Sequence, residues 1–437
     1  MIQNRCLKLR LYPNKEQFQQ MKQTGGCRRF VYNQYVIQRD KFYEENIKKK
    51  NLTKEQKKAK YKEFKYKTEK ELKQEFPFLK EVSSAALQQA RKDAEKAFSD
   101  YLSALKEMRQ KKLKKPRVGK PQLKKKKNGC RFREVMIPNV LIDENHNWIN
   151  IPKLGKITFK HDNIPDWFHT PGIQYRNLTV EVNKADECYV SINCQYEQKD
   201  VIKHISNDTT KRIGLDFSPA KCYVDSNGNA APNYVPVKQS AKRHLAHLQR
   251  NLSRTKKGSK NREKARVRVA KLENRIANKR RDWIEKETLR LVKNYELIGI
   301  ETLNLQGMMS FSKNAKNYTD ASWYNFTQKL IWKSNFYNCT VVKADKWFAS
   351  SQICNVCGYQ NTNTKNLNVR NWCCPNCNTH HNRDQNAAIN LMKYAERTGT
   401  AGTVGTYACR GLESEPGSTS LAESSMKQEL QYEAHHL

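Results

Sequence analysis

The sequence holds no apolar run of the roughly 18 residues that a membrane-crossing helix needs, and its opening, MIQNRCLKLRLYP, lacks the apolar core of a secretion signal. Neither a membrane protein nor an exported one is expected. Acids are scarce as well: 43 Asp and Glu face 82 Lys and Arg in 437 residues, a formal charge of +39. So large an excess repels itself unless a polyanion neutralises it. Nucleic acid is the usual one, since each phosphate contacted releases condensed counterion. Disulfides are not expected either. Thirteen cysteines in a chain without an export signal point to thiols and metal ligands in a reducing compartment.

What is present reads as several domains. RCLKLRL at 5–11 sets Leu7, Leu9 and Leu11 opposite Lys8 and Arg10, a half-buried strand stopped by Pro13. From Asn14 the period turns helical through Phe18, Met21, Phe30, Val31 and Tyr35. Residues 47–75 are rich in Lys and Glu and read as a solvated helix or a flexible tip. Ser83-Ser84 then cap a helix carrying Leu87, Ala90, Ala94, Ala97, Phe98 and Leu105. At 111–127 Pro, Gly and Lys take over, as a solvated linker or a loop laid on a nucleic-acid backbone. Short alternating runs return between 132 and 197, with Val180 and Val182 facing Val190, Ile192 and Cys194 in a hairpin. These strands are expected to form a small antiparallel barrel closed by the strand at 5–11, the helical block being inserted into it.

A second architecture begins near Lys211. KRIGLDF is an apolar strand ending in Asp216, and YELIGIETLNL is another ending in Glu301. Between them, residues 239–292 are helical and very basic, which suits helices on a phosphate backbone or a solvated charged face. A helix with Trp323, Phe326, Leu330 and Phe336 and the strand CTVVKAD follow. Cys354-x-x-Cys357 and Cys374-x-x-Cys377, 16 residues apart, have the spacing of a four-cysteine structural zinc site, each pair a tight turn offering two thiolates. Gly358 and Asn378 occupy matching places after the pairs and tolerate a left-handed turn. Cys373 is set aside, and His380 and His381 read as surface or nucleic-acid contacts. Asp384 opens a helix, where it either caps the first turn or joins Asp216 and Glu301 as a third acid. Converging carboxylates of this kind occur in RNase H-like sheets and suit Mg²⁺, a pair of ions about 4 Å apart serving phosphodiester hydrolysis.

The stretches RLYPNKEQ, CRRFVYNQY, IPKLGKI, GLDFS, SKNREKAR, RIANKRRDW, IETLNLQGM, SSQICNVCG and NRDQNAAINL occur in one order over residues 1–395. In them the chain resembles TnpB, the transposon-encoded RNA-guided DNA nuclease related to type V CRISPR effectors. The resemblance implies a multi-domain α+β fold. A wedge barrel would take 1–13 and 116–208, a helical recognition lobe 14–115, and a split RuvC nuclease 209–348 and 381–397. A zinc-ribbon target-loading module would span 349–380 and a disordered tail 398–437. It further implies Asp216, Glu301 and Asp384 as ligands of two catalytic Mg²⁺, one structural Zn²⁺ on Cys354, Cys357, Cys374 and Cys377, and Arg383 as a phosphate contact. The implied partners are guide RNA and double-stranded DNA, engaged by a monomer in the cytoplasm of a prokaryotic cell. Three positions depart from the family pattern: Ser218-Pro219 after the first acid, Ala349 for proline and Glu285 for histidine. Other readings in view are a cleavage-deficient RNA-guided repressor, a dimeric type V effector and a strand-transferring transposase.

Overall fold

The computed structural model describes residues 2–48, 52–112, 115–126, 129–135, 142–160, 164–197, 211–234, 239–305, 307–308, 318, 321–337, 339–366 and 368–399. The expected disordered tail lies outside these from residue 400 on. Among the described residues no helix is long and apolar enough to cross a membrane. The chain divides into two compact units, Met1–Lys199 with His244–Arg275, and Asp200–Arg243 with Ile276–Leu437.

In the first unit, β1 (Ile2–Tyr12) buries Leu7, Leu9 and Leu11 and exposes Lys8 and Arg10, as its alternation dictates. It joins β2 (Cys130–Val135), β3 (Ile142–Asp143), β4 (Trp148–Ile151), β5 (Gly155–Phe159), β6 (Gln174–Val182) and β7 (Cys188–Glu197). All pairings are antiparallel, in the order β2-β6-β7-β1-β5-β4-β3. Leu7 lies opposite Ile192, and Val180 opposite Val190. One apolar core takes residues from β1, β2 and β4 to β7, from Leu7 through Ile149 and Ile157 to Cys194.

Four helices follow β1: α1 (Lys15–Tyr43), α2 (Lys54–Glu63), α3 (Glu69–Glu75) and α4 (Ser84–Gln110). Asn14 and Gln17 form a reciprocal capping box at the start of α1. The described residues between 47 and 75 are more packed than their charge suggested. Ile47 and Leu72 are buried, and Phe42, Phe64, Tyr66 and Tyr35 make a run of ring contacts. Ser83 makes no side-chain cap of α4, because its hydroxyl donates to the Glu134 carboxylate at 2.8 Å. The basic stretch after α4 is docked in part: Asn33 exchanges hydrogen bonds with the Lys124 backbone, and Lys124 Nζ stands 3.5 Å over the Tyr32 ring. Two further helices, α5 (Gln239–Arg254) and α6 (Lys260–Asn294), supply residues 244–275 of this unit. Arg266 donates to the Lys184 carbonyl, and Asn274 to Glu187.

In the second unit, β8 (Arg212–Ser218), β9 (Cys222–Asp225), β10 (Leu297–Ile300) and β11 (Thr340–Lys343) form a sheet in the order β11-β10-β8-β9. The three strands β8, β10 and β11 are parallel, and β9 is antiparallel to β8. One apolar cluster unites Ile213, Leu215, Ile298 and Ile300 with Leu291 and Val292 of α6 and Trp323, Phe326 and Leu330 of α7 (Trp323–Ser334). A hairpin of β12 (Asn371–Cys373) and β13 (His380–Asn382) leads into α8 (Arg383–Gly399).

Candidate metal centres and their shared helix

Two strands of the second unit carry the same pattern, Ile213-Gly214-Leu215-Asp216 and Ile298-Gly299-Ile300-Glu301. Side chains alternate along a strand, so the apolar residues face the α6 and α7 cluster while each glycine and its acid share the opposite face. There α8 touches the sheet backbone. A Cβ added at Gly214 would stand 1.8 Å from the Ala388 carbonyl oxygen, and one at Gly299 would stand 2.2 Å from that of Leu391. Only glycine permits this approach. It brings the first turn of α8, with Asp384, to the end of the sheet where Asp216 and Glu301 emerge.

The helix has its own cap: Asn382 Oδ1 accepts from the Asp384 and Gln385 amides at 3.1 and 3.2 Å. The Asp384 carboxylate is thereby spared that task, and accepts from Arg370 Nη1 at 3.2 Å. The Phe217 amide donates to Glu301 Oε1 at 2.8 Å, tying the second acid to the residue after the first. Burial, then the charges of Glu301 and Asp384, hold the Asp216 carboxyl well above the usual carboxylate range, against the pull of Arg383 and Arg370. Burial likewise pushes Glu301 up to about 7, the Phe217 amide opposing it and Asp384 adding to it. All three acids remain partly exposed. This is a set of hard oxygen donors whose mutual repulsion a divalent cation would relieve. Arg383 itself is buried, and its guanidinium donates to the Asn366 carbonyl at 3.1 Å; the exposed cation on the acids is Arg370.

The four cysteines form the second centre. The sulphurs of Cys354, Cys357, Cys374 and Cys377 all lie within 4.8 Å of one another, the one such group of three or more Cys, His, Asp or Glu among the described residues. The three carboxylates are not drawn that close. Cys354 and Cys377, and Cys357 and Cys374, are 3.6 Å apart. Four ligands about 2.3 Å from a central zinc would lie about 3.8 Å apart, so the sulphur set fits that ion. The two turns match: Gly358 N donates to the Cys354 carbonyl and Asn378 N to that of Cys374, with φ of 79° and 56°. A hydrogen bond from the Asn376 side chain draws the Cys357 thiol down to about 6, while burial pushes Cys374 up to about 11. Cys373 is exposed and stands apart. His381 is a correction to the surface role expected of it: it is buried, with Nε2 3.1 Å from Cys354 Sγ and its ring 4.6 Å from that of Trp372. Its Nε2 thus sits against one sulphur from outside the four-cysteine group, the place of a residue that supports a ligand from behind.

One seam, invisible as a motif, joins the two centres. Asn386 Nδ2 donates to the Ile353 carbonyl at 2.7 Å and its Oδ1 accepts from the Asn355 amide at 3.0 Å. Asn390 donates to the carbonyls of Ser350 and Ile353, and Lys393 to that of Asn355. Both asparagines are buried. Their spacing of four residues was visible, but their partners are backbone carbonyls that no side-chain pattern announces. Of the departures, Glu285 pairs with Lys329 and Lys333 of α7. Ala349 accepts two amides in the turn before the first cysteine.

Three family models match the chain: a helix-turn-helix domain at residues 1–48, a "Probable transposase" at 191–312, and a Cas12f1-like TNB domain at 323–391. A protein of Streptomyces pristinaespiralis named "Putative RNA-guided DNA endonuclease" is 31% identical over 433 residues, 98% of this chain and 96% of its own. InsQ of Escherichia coli (strain K12), of the same description, is 25% identical over 89% of this chain and 91% of its own. A chain from a cryo-EM structure of a Cas12f1–sgRNA–target DNA complex matches 90% of this chain and 99% of its own, at 13% identity and a TM-score of 0.46. Being 31% identical over nearly its full length to the first of these relatives, the chain belongs to the TnpB family.

Proposed function

We propose that this protein is an RNA-guided, metal-dependent endonuclease that cuts double-stranded DNA beside a short transposon-adjacent motif, its guide taken from the transposon end. The observation that carries the reading is that Asp216 and Glu301 leave one end of the parallel sheet where Asp384 opens α8, near enough for the Asp384 charge to help hold the other two carboxyls up. On this reading the sheet is the RuvC nuclease, split around its basic helices. The seven-stranded sheet is the wedge barrel, and the helices after β1 are the recognition lobe. The names borne by the curated relatives support the activity.

Asp216, Glu301 and Asp384 would hold two Mg²⁺, which when bound supply Lewis acidity to the attacking water and the leaving 3′ oxygen. The chain does the rest by position. The Phe217 amide fixes the Glu301 carboxylate, the glycines seat α8, and Arg370 balances Asp384 until a cation does so. The zinc module presents the strand to be cut, and a monomer serves both strands in turn.

The test is guide-loaded protein with a plasmid carrying the target and a library of adjacent motifs, in Mg²⁺. Double-strand breaks are expected, and Asp216→Ala should abolish them while guide and DNA binding persist. Cutting retained by Asp216→Ala would refute the site. Binding without cutting by the unaltered protein would make it a repressor, and joined strands formed without a guide would make it a transposase.

A further inference from the structure

Trp347 is 82% exposed, the most exposed large hydrophobic side chain among the described residues. An indole has some 150–250 Å² to bury and rarely stands in water without a partner. The backbone of Trp347 is fixed in a turn. Its amide donates to Asp345 Oδ1 at 2.8 Å, and the Phe348 amide to the Asp345 carbonyl at 3.0 Å. The turn is fastened to α8, where Phe348 packs on Tyr394 at 4.8 Å and the Asp345 amide reaches the Tyr394 hydroxyl. Asn390 grips the Ser350 carbonyl just beyond.

The place of this turn gives it meaning. The Ala344 amide donates to the Ile300 carbonyl and the Thr302 hydroxyl to the Ala344 carbonyl, so residue 344 lies level with Glu301. Trp347 thus leaves the same carboxyl end of the parallel strands as the acids do, the end where ligands of such sheets bind. Three residues of chain and one strand spacing put its Cα within about 16 Å of that of Glu301. Neighbouring exposed side chains are charged: Lys346, whose Nζ lies 4.7 Å over the indole, and Asp345, turned back onto the Trp347 amide. An aromatic face beside a cation is what single-stranded nucleic acid recognises.

We propose that Trp347 is a stacking platform for a base of the single DNA strand delivered to the acids. The proposal rests on the nuclease reading, and commits to DNA because the strand that reaches the carboxylates is the one to be cut.

The test uses guide-loaded protein with Trp347→Ala and Trp347→Phe. Stacking of one base is worth about 1–3 kcal/mol, so Trp347→Ala should slow cleavage at limiting substrate about 5- to 150-fold, with Trp347→Phe restoring most of it. In an Asp216→Ala background, 2-aminopurine stepped through the strand near the cut should be quenched at one or two positions, and Trp347→Ala should remove that quench. Equal loss in both variants, or no change in either readout, would overturn the proposal. A defect confined to guide binding would overturn it too, making the platform an RNA contact. Should the unaltered protein fail to cut at all, the nuclease reading falls, while the quench still decides what Trp347 touches.

Discussion

Gly214 and Gly299 show how much of the site depends on atoms that are not there. Either Cβ would meet a carbonyl oxygen of α8 rather than a flexible side chain, so relief requires moving the helix that bears Asp384. Gly214→Ala should cost about 1–3 kcal/mol or more in chemical unfolding and abolish cleavage. Gly119→Ala, with nothing within 4 Å of its Cβ, should be silent; equal behaviour of the two would refute the close-approach account. The acids were legible because each ends an apolar run, whereas the role of the preceding glycines was not, since their partner lies about 90 to 180 residues away in the chain. Glu134 makes a different residue-scale case. It is 1% exposed, and burial pushes its carboxyl up to about 7 against the Ser83 hydroxyl's donation. A carboxyl raised above its unfolded value, near 4.5, contributes stability that is present below that value and lost as pH rises through 7. Between pH 8 and pH 5 the stability of the unaltered protein should therefore gain about 1–3 kcal/mol on Glu134→Gln, read by denaturant titration. Parallel curves for the two proteins would show that Glu134 does not titrate in this range.

At the scale of elements, the four-cysteine module is better understood as part of α8 than as a free flap. The seam of Asn386, Asn390 and Lys393 grips residues 350–355, and the Arg383 amide and guanidinium hold the carbonyls of Arg370 and Asn366. Whatever shifts the module shifts the helix that carries Asp384. Stripping zinc with a chelator should therefore weaken Mn²⁺ binding at the acids, by about tenfold or more, as loss of supporting contacts at metal sites does. Asn386→Ala with Asn390→Ala should do the same with zinc still bound at one ion per chain. Unchanged Mn²⁺ affinity in both cases would show the two centres to be independent. The cysteine spacing announced the tetrahedron, because thiolate pairs in tight turns are a local property. His381 was misread for the opposite reason: a His-His pair has no period, and what buries its second member is the fold of β12 against β13 around Trp372.

At the scale of the whole molecule, the charge remains the plainest statement the chain makes. Each ion pair within the protein joins one cation to one anion, so pairing of whatever strength leaves the excess of +39 unchanged. The basic stretch at 111–127 was read as a solvated linker or a loop laid on a nucleic-acid backbone, and its partial docking on the protein was not foreseen. Composition pointed to Lys-rich chain at 111–127, but only the structure shows Lys124 held through its backbone by Asn33 and through its ammonium by Tyr32. That lysine is occupied within the protein. Guide RNA affinity should then fall steeply with salt. A footprint of 6–10 phosphates loses about 10³- to 10⁵-fold between 50 and 200 mM monovalent salt on duplex DNA, and somewhat less on single strands. Filter binding across that range should give a log–log slope of about −4 or steeper. A slope near zero would mean that the positive charge answers to something other than a nucleic-acid backbone, and the partner assignment would fall with it.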